Sequence, residues 1–109
     1  MRIKVLEQQV DDVIAEDDLE GQFFLRSDGT VWYRHHADER IWFVNEGRLL
    51  FRDCLAAFSH YCDSVAKTED ERAAVHELEL ALTNNRALGT TAEPTYWSVI
   101  LEQCKDGLL

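Results

Sequence analysis

Gln22-Phe23-Phe24-Leu25-Arg26-Ser27-Asp28-Gly29-Thr30-Val31-Trp32-Tyr33-Arg34-His35 is the stretch that decides the fold. Apolar, mostly aromatic residues flank an Asp-Gly pair, and after it Val31 and Tyr33 alternate with Trp32 and Arg34. Asp-Gly takes up the positive-φ conformations of a tight hairpin at little cost. The stretch therefore predicts two antiparallel strands, Gln22–Arg26 and Val31–His35, joined by the turn Ser27-Asp28-Gly29-Thr30.

C-terminal to the hairpin, residues 36–39 turn again and Arg40–Val44 reads as a third strand. Asn45-Glu46-Gly47 is another turn. Leu49–Phe51 reads either as a short strand or as the approach to a helix. From Phe51 to Val65 the apolar residues Cys54, Leu55, Phe58, Tyr61, Cys62 and Val65 recur at spacings of three and four, which makes one helical stripe. Thr68 with Glu71 has the form of a capping box for a second helix. Its stripe is Ala74, Val75, Leu78, Ala81 and Leu82, and Asn84-Asn85 ends it. Pro94 sits near the first turn of a third helix. That helix carries Tyr96, Trp97, Ile100, Leu101 and Cys104 on one face, and Gly107 closes it.

On the N-terminal side, residues 2–6 read as a short strand or the start of a helix. Residues 7–20 hold seven acids and no Lys or Arg. Val10, Val13 and Ile14 sit at helical spacing within them, which predicts an acidic turn or two anchored by one apolar face, with the carboxylates in solvent. Strands followed by helices give an α+β class: an antiparallel meander sheet covered on one face by about three helices. The other sheet face is expected to be partly exposed, with Trp32 or Trp42 on it.

The chain has 109 residues, 46% hydrophobic and 29% charged, which suits a single domain spanning residues 1–109. Its formal charge is −10. That balance speaks against nucleic acid and anionic membrane surfaces, both of which are bound through cations. It favours association with a basic protein, although net charge also serves plain solubility. Met1–Leu6 is basic then apolar, but acids follow at once, so no signal peptide is expected. The three cysteines, all on stripes expected to be buried, read as reduced thiols in a cytoplasm.

Catalytic and metal chemistry find little support. No Cys-x-x-Cys or His-x-x-x-His pair provides zinc spacing. His35 and His36 should point to opposite sides of a strand. Residues 15–21 lack the alternating acids of a calcium loop. Ser59 and His60 are helix neighbours that do not face each other. No cofactor, metal site or enzymatic activity is expected. The candidate site residues are partner-binding: Asp11, Asp12, Glu16, Asp17, Asp18 and Glu20 as a steering row, with Trp32 or Trp42 as apolar anchors.

Phe24–Trp32 is similar to the strand–Asp-Gly–strand hairpin of the SUKH superfamily, the Smi1/Knr4-like proteins. Phe43-Val44-Asn45, then Phe51 and Cys54-Leu55-Ala56-Ala57-Phe58, resembles the strand that leads into the first helix in its bacterial immunity branch. Tyr96–Glu102 with Asp106-Gly107-Leu108 resembles its closing helix. The similarity spans roughly residues 22–109 and departs at the front, where the superfamily has a longer helical segment. The resemblance implies an α+β intracellular immunity protein in a toxin–antitoxin pair. Such a protein would neutralise a cognate polymorphic toxin, a nuclease or nucleic-acid deaminase, by direct protein–protein contact. The alternative is a non-enzymatic adaptor or structural subunit that uses the apolar sheet face. The sequence leaves the oligomeric state open.

Overall fold

A computed structural model describes residues 2–10, 12–38, 40–67, 70–90 and 92–107, apart from the side chains of residues 9 and 10. Five strands precede three helices: β1 (Ile3–Val10), β2 (Val13–Asp17), β3 (Gly21–Leu25), β4 (Val31–His35), β5 (Ile41–Asn45), α1 (Arg48–Lys67), α2 (Glu71–Asn84) and α3 (Tyr96–Lys105). The strands form one antiparallel sheet in sequence order, β1-β2-β3-β4-β5. The fold is α+β, as the hairpin and the helical stripes predict.

The deciding hairpin is tied at its turn. Gly29 has φ 86°, and Asp28 Oδ1 accepts the Thr30 amide at 3.0 Å. Across it Phe23 faces Tyr33, Phe24 faces Trp32 and Leu25 faces Val31. Leu49–Phe51 belongs to α1 rather than to a sixth strand.

Residues 7–20 depart from expectation. The described ones form the end of β1, all of β2 and the turn after it, so that β1 and β2 make a second hairpin instead of a helical turn. β-branched residues supply Ile3, Val5, Val13 and Ile14, which suit a pleated surface. The helical look of the apolar spacing comes from a bulge. The β2–β3 register shifts between Val13 and Ala15, so Val13, Ile14 and Ala15 are all buried in succession. A bulge breaks strict alternation by adding one residue on one strand.

The second helix also starts differently. Asp70, not Thr68, is the N-cap of α2, and its carboxylate accepts the Ala73 amide at 3.1 Å. Asp caps as well as Thr and lies directly against the helical run; Thr68 itself lies outside the described residues. α3 has the capping box instead. The Thr95 hydroxyl accepts from the Ser98 amide at 3.1 Å, while the Thr95 amide donates to Ser98 Oγ at 2.8 Å. Gly107, with φ 71°, closes α3 as predicted.

α1 and α3 pack on the sheet at β5, and α2 packs on both. The core holds Phe23, Tyr33, Phe51, Phe58, Tyr96 and Trp97 in mutual ring contact. Asn45 ends β5 inside this core and is fully buried. It accepts the Trp97 indole N–H at 2.9 Å and donates to Cys54 Sγ at 3.4 Å. A buried indole needs such an acceptor. Cys54 and Cys104 are buried as expected, whereas Cys62 is exposed, in a hollow it shares with Arg2, Ile3 and Val5. The stripe of α1 is therefore narrower than its apolar spacing suggests.

Candidate partner-binding site

Strand register sorts the sheet residues onto two faces. Ala15, Asp17, Phe23, Tyr33 and Trp42 point toward the helices. Glu16, Gln22, Phe24, Trp32, Arg34 and Phe43 point the other way. The two tryptophans therefore do not share a surface. Trp32 lies on the outer face, and Trp42 packs at the margin of the core.

On the outer face Phe24, Trp32 and Phe43 are cross-strand neighbours, with the Trp32 and Phe43 rings edge to face at 5.4 Å. Two guanidinium groups lie over this row. Arg26 stands 4.2 Å from the Trp32 ring centroid and Arg34 stands 4.8 Å from that of Phe24. Trp32 Nε1 donates to the Thr30 hydroxyl at 2.8 Å, which fixes the indole. Beyond Arg34 the face continues into a trough of about 630 Å³ lined by Lys4, Val13, Glu16 and Gln22 among others. Around Trp32 this face is aromatic with Arg26 and Arg34 above it, while Glu7 and Glu16 join Lys4 in the trough beyond.

The acidic residues do not form a row. Asp12 sits at the turn between β1 and β2, and Asp11 lies outside the described residues. Glu16 stands exposed on the outer face. Asp18 and Glu20 are exposed in the turn between β2 and β3, at the other end of β2. Five strand residues separate the two ends, on the order of 15 Å.

Asp17 is not a solvent-facing acid at all. It is 9% exposed and faces the core. Its Oδ1 accepts the amides of Leu19 at 3.0 Å and Gly21 at 2.7 Å, which ties the turn. Its Oδ2 accepts the Tyr33 hydroxyl at 2.7 Å. The Tyr33 ring reaches Asp17 by lying across Gly21, where a Cβ would overlap the phenol. That is why a glycine follows the acidic run. Burial, then the hydrogen bond to Asp17, pushes the Tyr33 phenol well above its ordinary pKa. The Tyr96 ring lies tilted against Tyr33 with centroids 4.7 Å apart, and burial followed by the Asp17 charge raises its phenol as well. Both rings stay neutral at ordinary pH.

These groups surround a cleft of about 190 Å³ between the β2–β3 turn and α3, lined by Asp17, Leu19, Tyr33, Trp42, Tyr96, Val99, Ile100 and Gln103. Leu19 on its rim is 56% exposed, a conspicuous apolar side chain between Asp18 and Glu20. Of the expected site residues, the structure thus gathers Asp17, Asp18, Glu20 and Trp42 at one end of the molecule. It leaves Glu16 and Trp32 on the outer face. Tyr33, Tyr96 and Leu19 were not among the candidates. Tyr33 reads as a core position of its strand, and no local pattern joins it to Tyr96.

The histidine pair has separate duties. His36 lies past the end of β4, so its ring stacks on His35 at 5.1 Å instead of pointing away. His35 Nε2 meets the Leu19 carbonyl and His36 Nε2 meets Glu20 Oε2 at 3.3 Å. Among the described residues no group of three or more metal-ligating side chains converges. No described helix is long and apolar enough to cross a membrane.

No protein-family model, curated protein or solved structure matches this chain.

Proposed function

We propose that this protein is a cytoplasmic, non-enzymatic immunity-type inhibitor that grips a basic toxin enzyme, a nuclease or nucleic-acid deaminase, and blocks it by direct contact. The observation that carries this reading is the acidic turn beside the aromatic cleft. Asp18 and Glu20 flank the exposed Leu19, and Asp17, Tyr33, Trp42 and Tyr96 line the hollow behind it. Exposed carboxylates attract a basic partner and set the association rate, while a desolvated pocket with aromatic walls supplies affinity. The net charge of −10 adds a long-range field of the same sign.

The test is capture from lysate at low and high salt, followed by an activity assay on the captured enzyme. Capture of one basic enzyme that the protein inhibits supports the reading. Asp18→Lys with Glu20→Lys should then slow association at least about tenfold at low salt. Unchanged association kinetics would remove the acidic turn from the interface.

A second reading is favoured by the outer sheet face. Trp, Phe and Arg in the arrangement Phe24–Trp32–Phe43 with Arg26 and Arg34 above are the residue types that dominate interface cores. An adaptor or structural subunit would bind there. Its binding would be insensitive to salt, lost in Trp32→Ala, and unaffected by charge reversal at Asp18 and Glu20.

A further inference from the structure

We infer that the cleft behind the β2–β3 turn is a seat for a single alkylammonium group, such as a lysine side chain. The inference rests on the reading of this end as the docking end and names the group that enters it.

Size sets the first constraint. A hollow of about 190 Å³ is too small for most cofactors and metabolites, whose sites run to roughly 300–1,000 Å³. It is close to the ~150 Å³ that accepts one benzene ring. One side-chain tip fits.

The walls set the chemistry. Three aromatic rings, Tyr33, Trp42 and Tyr96, line it together with a carboxylate. Ring faces carry negative quadrupole, and cages of them attract ammonium ions. Both phenols are held in the neutral form, so the only full charge in the lining is that of Asp17. Among the described residues no cation forms an ion pair with Asp17. Its hydrogen bonds come from neutral donors: two amides and a phenol. A buried anion without a counter-ion gains most from a cation brought next to it.

The neighbouring cations leave the seat open. Arg40 stands 3.9 Å from the Trp42 centroid but does not line the cleft. His35 is directed to the Leu19 carbonyl and His36 to Glu20. Gln103 of α3 supplies a neutral polar rim.

The experiment titrates the intact protein with a Gly-Lys-Gly peptide and with its norleucine counterpart, which keeps the chain and lacks the ammonium. The readout is the Trp42 indole N–H resonance; Trp32 and Trp97 donate to Thr30 and Asn45 and serve as internal controls. The lysine peptide should shift Trp42 saturably and bind at least about tenfold more tightly than norleucine. Gln103→Lys, at the rim and outside the core, should abolish the shift; Asp17→Asn should weaken it if the turn still folds. Equal binding of the two peptides overturns the inference and leaves a plain apolar hollow. So does the absence of any Trp42 shift, or a lysine response that persists in Gln103→Lys. Because the probe is a peptide, a positive titration without toxin capture sinks only the proposed function. Salt-sensitive capture without a lysine response sinks only this inference.

Discussion

Gly21→Ala separates a general expectation from this structure. Alanine in a strand ordinarily stabilises by about 0.5–1 kcal/mol over glycine. Gly21 has no positive φ that would forbid a side chain. Yet a Cβ there would overlap the hydroxyl, Cζ and Cε2 of Tyr33. The ring must move off Gly21, and in moving it loses the hydrogen bond to the buried Asp17 carboxylate. Overpacking costs about 1–3 kcal/mol. A hydrogen bond to a charged acceptor is worth about 1.5–3 kcal/mol. The sum is roughly 2.5–6 kcal/mol of destabilisation, opposite in sign to the general rule. For a domain of this size it corresponds to a melting temperature lower by about 15 °C. Chemical denaturation of four proteins completes the test: wild type, Gly21→Ala, Tyr33→Ala and the double variant. With Tyr33 already truncated, Gly21→Ala should cost less than about 1 kcal/mol, giving a coupling of at least about 1.5 kcal/mol. A neutral or stabilising Gly21→Ala in the wild-type background would refute the reasoning. So would equal costs in the two backgrounds.

Three further outcomes are expected. Asn45→Ala leaves the Trp97 indole N–H buried without its acceptor, which should cost about 2–4 kcal/mol and lower the urea midpoint at constant m; a loss under about 1 kcal/mol would mean that the indole finds another partner. Thiol labelling of the native protein at pH 8 should modify Cys62 alone, since Cys54 is fully buried with its thiol pushed up to about 11 by burial and Cys104 is also buried; rapid labelling of all three would contradict the α1–α3 packing. Stability should hold up to about pH 8.5, where the unfolded cysteines release the protons that burial keeps on Cys54 and Cys104, and fall more steeply near pH 10, where unfolded tyrosine ionises. The steeper fall follows because burial holds Tyr61 up to about 12 and raises Tyr33 and Tyr96 further, so the folded state keeps protons that the unfolded state releases. A urea midpoint unchanged between pH 8 and pH 11.5 would show that these phenols are not buried.

The parts legible in the sequence were those set by local pattern. The Asp28-Gly29 hairpin, the helical stripes and the closing Gly107 each depend on residues within a few positions of one another. The β1–β2 hairpin is hidden because Val10, Val13 and Ile14 keep helical spacing, whereas in the fold Val10 pairs with Val13 across the turn and the β2 bulge buries Ile14 beside Val13. The seven acids, taken by composition alone, read as one solvated surface. In fact β2 holds its two ends apart, and Asp17 spends its carboxylate on the turn and on Tyr33. The cleft has no local signature for a different reason. Its walls come from β2, β4, β5 and α3, and their convergence is a product of tertiary packing. Gly21 next to the acidic run was the one local hint, because an open strand gains nothing from a glycine unless something lies across it.

The strictly sequential order of the strands has a kinetic meaning. Each of β1 to β5 pairs with its immediate neighbour in the chain, so the sheet can zip from the Asp28-Gly29 turn outward through short loop closures. The distant closures are those that bring α3 back to the sheet, through Trp97 on Asn45 and Tyr96 on Tyr33. Sheet formation by local steps is fast relative to nonlocal β topologies, and α3 is expected to dock after the main barrier. Truncations in the β3–β4 hairpin should therefore slow folding, whereas truncation of Ile100 or Leu101 should chiefly hasten unfolding; slowed folding on α3 truncation would place its docking at the barrier instead. The helix that walls the cleft would then also be the first element to leave when the native state opens.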